Sequence, residues 1–168
     1  MVYKKAISDP SSSGSYASMC RSLAMVRVPM KNKPYIDVGF KSLLLQFCWK
    51  QIETDQDVKC LVNSIKFFIE LFKQKLLSEA IMQECVVKLL KQQEGKTLKC
   101  LCHLLTSVGK EMDVGEAKSK MDAHFTQLKN LVKEQKRGSK RIRNMMKDVL
   151  VLRMNDWVPQ ETKQQNVL

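Results

Sequence analysis

The prolines of this chain lie toward its ends, at Pro10, Pro29 and Pro34 and then at Pro159. Proline removes a backbone donor and clashes with the preceding helical turn, so the long interior without it is free to form long helices. Apolar residues recur there at the spacing of three and four that one helix face requires. Asp57 is placed to cap a helix whose buried stripe is Leu61, Ile65, Phe68, Phe72 and Leu76. Ser78 opens the next, with Ile81, Cys85 and Leu89 inward and Gln83, Glu84, Lys88 and Lys91 outward. Thr97 begins a helix carrying Leu98, Leu101, Leu105 and Val108, and Gly109 reads as its stop. Asp113 and Glu116 match a capping box for a helix with Ala117, Met121, Phe125, Leu128 and Val132, ended by Gly138. Ser139 caps the last helix, with Ile142, Met146, Val149 and Leu152 inside.

The first third is more interrupted. VYKKAI reads as the tail of a helix, broken by Asp9-Pro10 and the serines after it. Ser12 or Ser13 caps a helix to about Arg27, with Tyr16, Cys20, Leu23 and Val26 on one face. VPMKNKP reads as a loop held open by Pro29 and Pro34. Asp37 caps a helix ending near Glu53 whose core face is Phe40, Leu43, Leu44 and Phe47. Lys41, Leu45 and Trp49 form a second stripe on it, open either to a partner or to packing on a neighbouring helix pair. No alternating strand pattern and no Asn-Gly hairpin turn occurs. The expected fold is all-α, about seven helices with short links that favour antiparallel pairs. Periodicity alone leaves a bundle and an α-solenoid open.

Apolar residues make up 44% of the chain and charged residues 27%, a globular balance. The net charge of +12 favours polyanions or acidic partner surfaces, although a solvated basic surface without a ligand has the same composition. The run LKNLVKEQKRGSKRIR concentrates that charge: Lys129, Lys133, Lys136, Arg137, Lys140, Arg141 and Arg143 crowd a helix end, a turn and a helix start. Such a cluster can neutralise phosphates and release counterions. It can equally be a solvated helix end favoured by the macrodipole. No aromatic residues interleave the charges, so base stacking and sequence-specific readout are not expected.

Cys20, Cys48, Cys60, Cys85, Cys100 and Cys102 form no C-x-x-C pair and mostly sit among apolar residues, where a thiol behaves as a small hydrophobe. MVYKKAISDP has no apolar signal region, which with the thiols favours the cytoplasm or nucleus, and no run reaches transmembrane length. Cys100-x-Cys102-His103 lacks the second ligand pair that zinc needs, so core thiols with a surface histidine are expected. TSVGKE has a Gly-Lys pair without the P-loop framework, and no nucleotide-binding or nucleophile-elbow motif appears. His103 and His124 are the only histidines. No enzyme activity, cofactor, metal or small-molecule substrate is expected.

The stretch IKFFIELFKQKLLSEAIMQECVVKLLKQQEGKTLKCLCHLLTSVGKEMD, from Ile65 to Asp113, resembles the middle domain of eukaryotic translation initiation factor 4 gamma. ELFK, EAIM, CVVKLLK and LCHLLTSVGK follow in the family order. KKAIS, YASMCRSL, VPMKNKP and FKSLLLQFC precede them, and AKSKMDAHF, KRIRNMMKDVLVLR and NDWVP follow. The resemblance covers nearly the whole chain. It implies a HEAT-type α-solenoid over 1–157, with 158–168 a flexible tail. It implies a cytoplasmic scaffold that docks a DEAD-box RNA helicase and contacts RNA without catalysis.

By that resemblance Lys41, Leu45 and Trp49 are candidates for touching the helicase. Lys136, Arg137, Lys140, Arg141 and Arg143 are candidates for touching RNA.

Departures from the family pattern accompany it. The chain is expected to start inside the first repeat, and only QIETDQDVKCLVNS stands where the family has a charged insertion. Ile69 replaces a glycine, with a risk of overpacking. Phe47 and Trp49 replace polar or charged residues, Asn144 an aromatic one and Val151 an acidic one. An RNA-binding helical module without helicase affinity stays open, as does a decayed or competing fragment of the scaffold.

Overall fold

The computed structural model describes residues 2–30, 33–54, 57–134 and 139–159. Among them stand eight α-helices: α1 Val2–Ser8, α2 Ser13–Leu23, α3 Phe40–Thr54, α4 Val58–Lys73, α5 Glu79–Gln92, α6 Gly95–Met112, α7 Ala117–Glu134 and α8 Lys140–Met154. The all-α expectation holds, with the N-terminal segment counted as a helix in its own right. Several local expectations fail. The described part of the stretch taken for a proline-held loop contributes to an antiparallel ribbon of β1, Arg27–Met30, and β2, Lys33–Gly39. A two-stranded ribbon consists of edges alone, and an edge strand tolerates a proline such as Pro29.

The chain divides into two compact units, 1–88 and 89–168. In the first, α4 is the centre, packed by α1, α2 and α3. The capping expectation for Asp57 holds: its carboxylate accepts from the Lys59 amide at 2.7 Å. The predicted stripe Leu61, Ile65, Phe68, Phe72 and Leu76 is buried, and Phe67, Ile69 and Leu71 are buried beside it. Asn63 and Ser64, polar residues buried in this unit, are matched. Asn63 donates to the Ile7 carbonyl at 2.8 Å, and the Ser64 hydroxyl gives its proton to the Cys60 carbonyl at 2.8 Å. The Tyr3 hydroxyl therefore donates to Ser64.

α2 buries Ser13, Ala17 and Cys20 and ends at Leu23. Val26, expected on its core face, is 44% exposed. α3 also departs from expectation. It buries Cys48 and Ile52, while Leu43 and Phe47 are exposed. Gln83, expected outward on α5, is buried, and Val87 is exposed instead.

In the second unit α6 and α8 run in the same direction. A side chain added at Gly95 would meet Ile142 near their starts, and Asp113 meets Arg153 near their ends. α7 runs antiparallel to both, since Arg153 late in α8 also reaches Asp122 early in α7. Gly109 does not stop α6, which continues to Met112. A Cβ there would lie 2.2 Å from the Trp157 ring, so glycine is required by close approach. Asp113 does not cap α7, which begins at Ala117; it ends α6 instead. Ser139 stands at the start of α8 without a side-chain cap bond. Leu131 is buried where Val132 was expected, and Leu152 is half-buried. The expected stop at Gly138 lies outside the described residues.

Two helices end in the same turn. Lys75 after α4 and Asp156 after α8 are left-handed, with φ of 61° and 52°. Leu76 N–H reaches the Leu71 carbonyl at 3.0 Å, and Trp157 N–H reaches the Leu152 carbonyl at 2.9 Å. Both are six-residue closures that satisfy orphan carbonyls. The second turns the chain so that Trp157 comes back over Gly109.

Candidate functional site

Three surfaces carry the residues of interest. The first is α3. Positions 41, 45 and 49 follow one another by four, so they share a flank. Lys41 is exposed, and Leu45 and Trp49 are half-buried. The Trp49 indole packs edge-on against Phe68 with centroids 5.2 Å apart. The Lys88 ammonium sits 4.1 Å above the Trp49 ring. That ammonium also meets Glu53 at 3.0 Å and Glu84 at 3.6 Å. Trp49 is therefore held between α4 and the Lys88 side chain of α5. Nothing in the sequence pairs Lys88 with Trp49, because the two lie far apart along the chain and only packing brings them together.

The second surface is the start of α8. Lys140 and Arg141 are exposed and Arg143 is half-buried, its Nε sequestered without a hydrogen-bond partner among the described residues. Lys129 and Lys133 are exposed on α7. Lys136 and Arg137 lie outside the described residues.

The third is a cluster where α6, α7 and α8 meet. The Arg153 guanidinium donates to both Asp113 oxygens at 2.8 Å, to Asp122 at 2.6 Å, and lies 4.5 Å from the Phe125 centroid. The Trp157 Nε1–H donates to Asp113 at 3.0 Å, and its ring meets Phe125 edge-on at 5.7 Å. The Arg153 hydrogen bonds hold the Asp113 carboxyl below its ordinary value of 3.8, and the same partnership raises Arg153. Beside the cluster an open cleft of about 260 Å³ is lined by Lys118, Asp122, Lys129, Arg153 and Asp156, a set of mixed sign. NDWVP was the available sequence signal, but the pairing of Arg153 with Asp113 was not legible in it.

Burial raises the thiols of Cys48, Cys100 and Cys102 to about 12 and that of Cys20 to about 11. A thiol so shifted stays protonated and unreactive at neutral pH. His124 titrates below its ordinary value because it is desolvated and faces Lys120. Among the described residues no three His, Cys, Asp or Glu side chains converge as a metal site, and no helix is long and apolar enough to cross a membrane.

With this helical geometry in place, residues 1–156 match the MIF4G domain family. The chain belongs to that family. MIF4G domains are helical and HEAT-like, in agreement with the helices described above. The chain is 40% identical over 199 aligned positions to mouse eukaryotic translation initiation factor 4 gamma 1, covering 98% of this chain and 12% of that protein. It is 41% identical to human eukaryotic translation initiation factor 4 gamma 3, with the same coverage. Eukaryotic translation initiation factor 4G of wheat, Triticum aestivum, is 29% identical over 93% of this chain and 12% of its own length. The chain thus spans about one-eighth of these relatives. An alignment of 199 positions against 168 residues also means that the mouse relative carries segments this MIF4G chain lacks.

Proposed function

We propose that this chain is a scaffold module of translation initiation that binds a DEAD-box RNA helicase and mRNA in the cytoplasm and has no catalytic activity of its own. The observation that carries the reading is the match of residues 1–156 to a domain whose relatives are named translation initiation factors. Helicase contact is assigned to the α3 flank of Lys41, Leu45 and Trp49. Lys41 offers an exposed charge there, and the Phe68 and Lys88 contacts hold Trp49 in place further along the same flank. RNA contact is assigned to Lys136, Arg137, Lys140, Arg141 and Arg143, whose charge can neutralise phosphates. Residues 1–157 serve as one functional module; of the tail expected after them, residues 160–168 lie outside the described residues.

A pull-down with the initiation helicase tests the first assignment, with retention expected for the wild type and reduced for Lys41→Glu and Trp49→Ala. Absence of wild-type retention would overturn it. RNA binding is expected to weaken steeply as salt rises, and to weaken further in Arg141→Ala and Arg143→Ala. Affinity independent of salt would exclude phosphate contact. The net charge of +12 favours a second reading, a polyanion-binding helical module without helicase affinity. Parallel helicase and RNA baits separate the two.

A further inference from the structure

Leu43 and Phe47 stand one turn apart on α3 and are 43% and 39% exposed. Phe40 and Lys50 extend the same stripe at positions three before and three after. This stripe lies on the flank away from Lys41, Leu45 and Trp49. The Phe47 ring meets Tyr3 edge-on at 5.3 Å, so α1 borders the stripe. The Phe40 amide donates to the Val26 carbonyl at 2.9 Å, which brings exposed Val26 to its other end. The result is an apolar strip with half-sunk side chains.

The charge beside it is basic. Lys4 and Lys5 follow Tyr3 on α1 and are exposed, and exposed Lys50 stands on the strip itself. Glu53 is turned to the opposite flank, where it meets Lys88. A second copy of the chain would set these lysines against like charges, with +12 on each molecule. A lipid-inserting face needs side chains that project deeply, whereas Leu43, Phe47 and Val26 are only about two-fifths exposed. A groove-seated amphipathic helix fits such a strip, since its apolar spacing matches and its acidic residues complement the lysines.

We propose that the Phe40, Leu43 and Phe47 face of α3 docks an acidic amphipathic helical segment of another protein, with its carboxylates meeting Lys4, Lys5 and Lys50. This surface is separate from the flank assigned to the helicase.

Fluorescence anisotropy of the full chain with three labelled 16-residue probe peptides tests the proposal. One probe is Glu-rich with Leu and Phe at helical spacing, the second carries Lys for Glu, and the third carries Ser for Leu and Phe. The first is expected to bind at least tenfold more tightly than the others. Leu43→Ser with Phe47→Ser should weaken it tenfold or more, and Lys50→Glu several-fold. Circular dichroism checks the fold, and Leu43→Ser alone serves if the double variant loses helicity, because no ring contact involves that residue. No binding of the first probe, equal binding of all three, or binding insensitive to these variants would overturn the proposal. So would variant-sensitive binding to phosphatidylserine vesicles with no binding of the first probe.

Discussion

Helices α3 and α6 are of similar length but are used in opposite ways. α6 buries ten of its 18 residues, while α3 buries two of 15. The end of α6 is locked by a network of high burial, with Arg153 and Asp113 side chains 16% and 8% exposed. α3 is fastened by Lys88, whose side chain and that of its partner Glu53 are 37% and 53% exposed. The difference separates two roles. Apolar surface removed from water stabilises α6 and the helices around it, whereas apolar surface left on α3 remains available to a partner.

Mutations should magnify that contrast. Asp113→Ala is expected to cost the most, about 3 kcal/mol, because Arg153 loses its bidentate partner and the Trp157 N–H loses its acceptor. Urea unfolding followed by circular dichroism measures it, and a loss below 1 kcal/mol would show that the α6 end is no more locked than α3. Gly109→Ala should follow at about 2 kcal/mol, since the new methyl group displaces the Trp157 ring from its place over α6. In a Trp49→Phe background, the remaining indole emission should shift to longer wavelength as Trp157 enters water.

The same network predicts a pH dependence. The Asp113 carboxyl titrates below its unfolded value of about 3.8. Its stabilising contribution is therefore fully present above that pH and is lost as pH falls through the lower folded value. Urea midpoints taken from pH 7 down to pH 3 should decline less in Asp113→Asn than in the wild type. An identical decline would remove Asp113 from the acid response.

Smaller effects belong to α3. Lys88→Ala should cost about 0.5 kcal/mol, as expected for a half-exposed ion pair with a cation–π contact. Leu43→Ser should change stability by less than about 0.5 kcal/mol, because the residue is already exposed. A large destabilisation in Leu43→Ser would mean that α3 belongs to the core as α6 does.

The same two helices show how far the fold can be read from residue order. In α4 and α6 the apolar stripe is broad, so every placement consistent with a helix buries Leu61, Ile65, Leu98 and Leu101, and those expectations hold. In α3 apolar residues occur on nearly every side of the helix, and periodicity has no preferred face to report. Phe40, Leu43, Leu44 and Phe47 were then as good a core as Cys48 and Ile52, and the neighbouring helices selected the latter pair. Gly109 and Asp113 failed for another reason. Each has a common local role, stop or cap, that a long-range partner replaced. The family resemblance was legible across the chain, and the candidate contact residues were drawn from it. Their surroundings were not: Lys88 over Trp49 and the isolated Nε of Arg143 depend on residues brought together only by folding.

What the sequence determined alone is the helical class, most helix positions, the Asp57 cap and membership in a helical family. These follow from interactions within a few residues or from motif order along the chain. The tertiary structure decided which side of α3 faces inward, that α6 passes through Gly109, that Asp113 binds Arg153 and Trp157, and that VPMKNKP contributes to a ribbon. Each of those outcomes depends on a neighbour distant in sequence, and local periodicity carries no information about such neighbours.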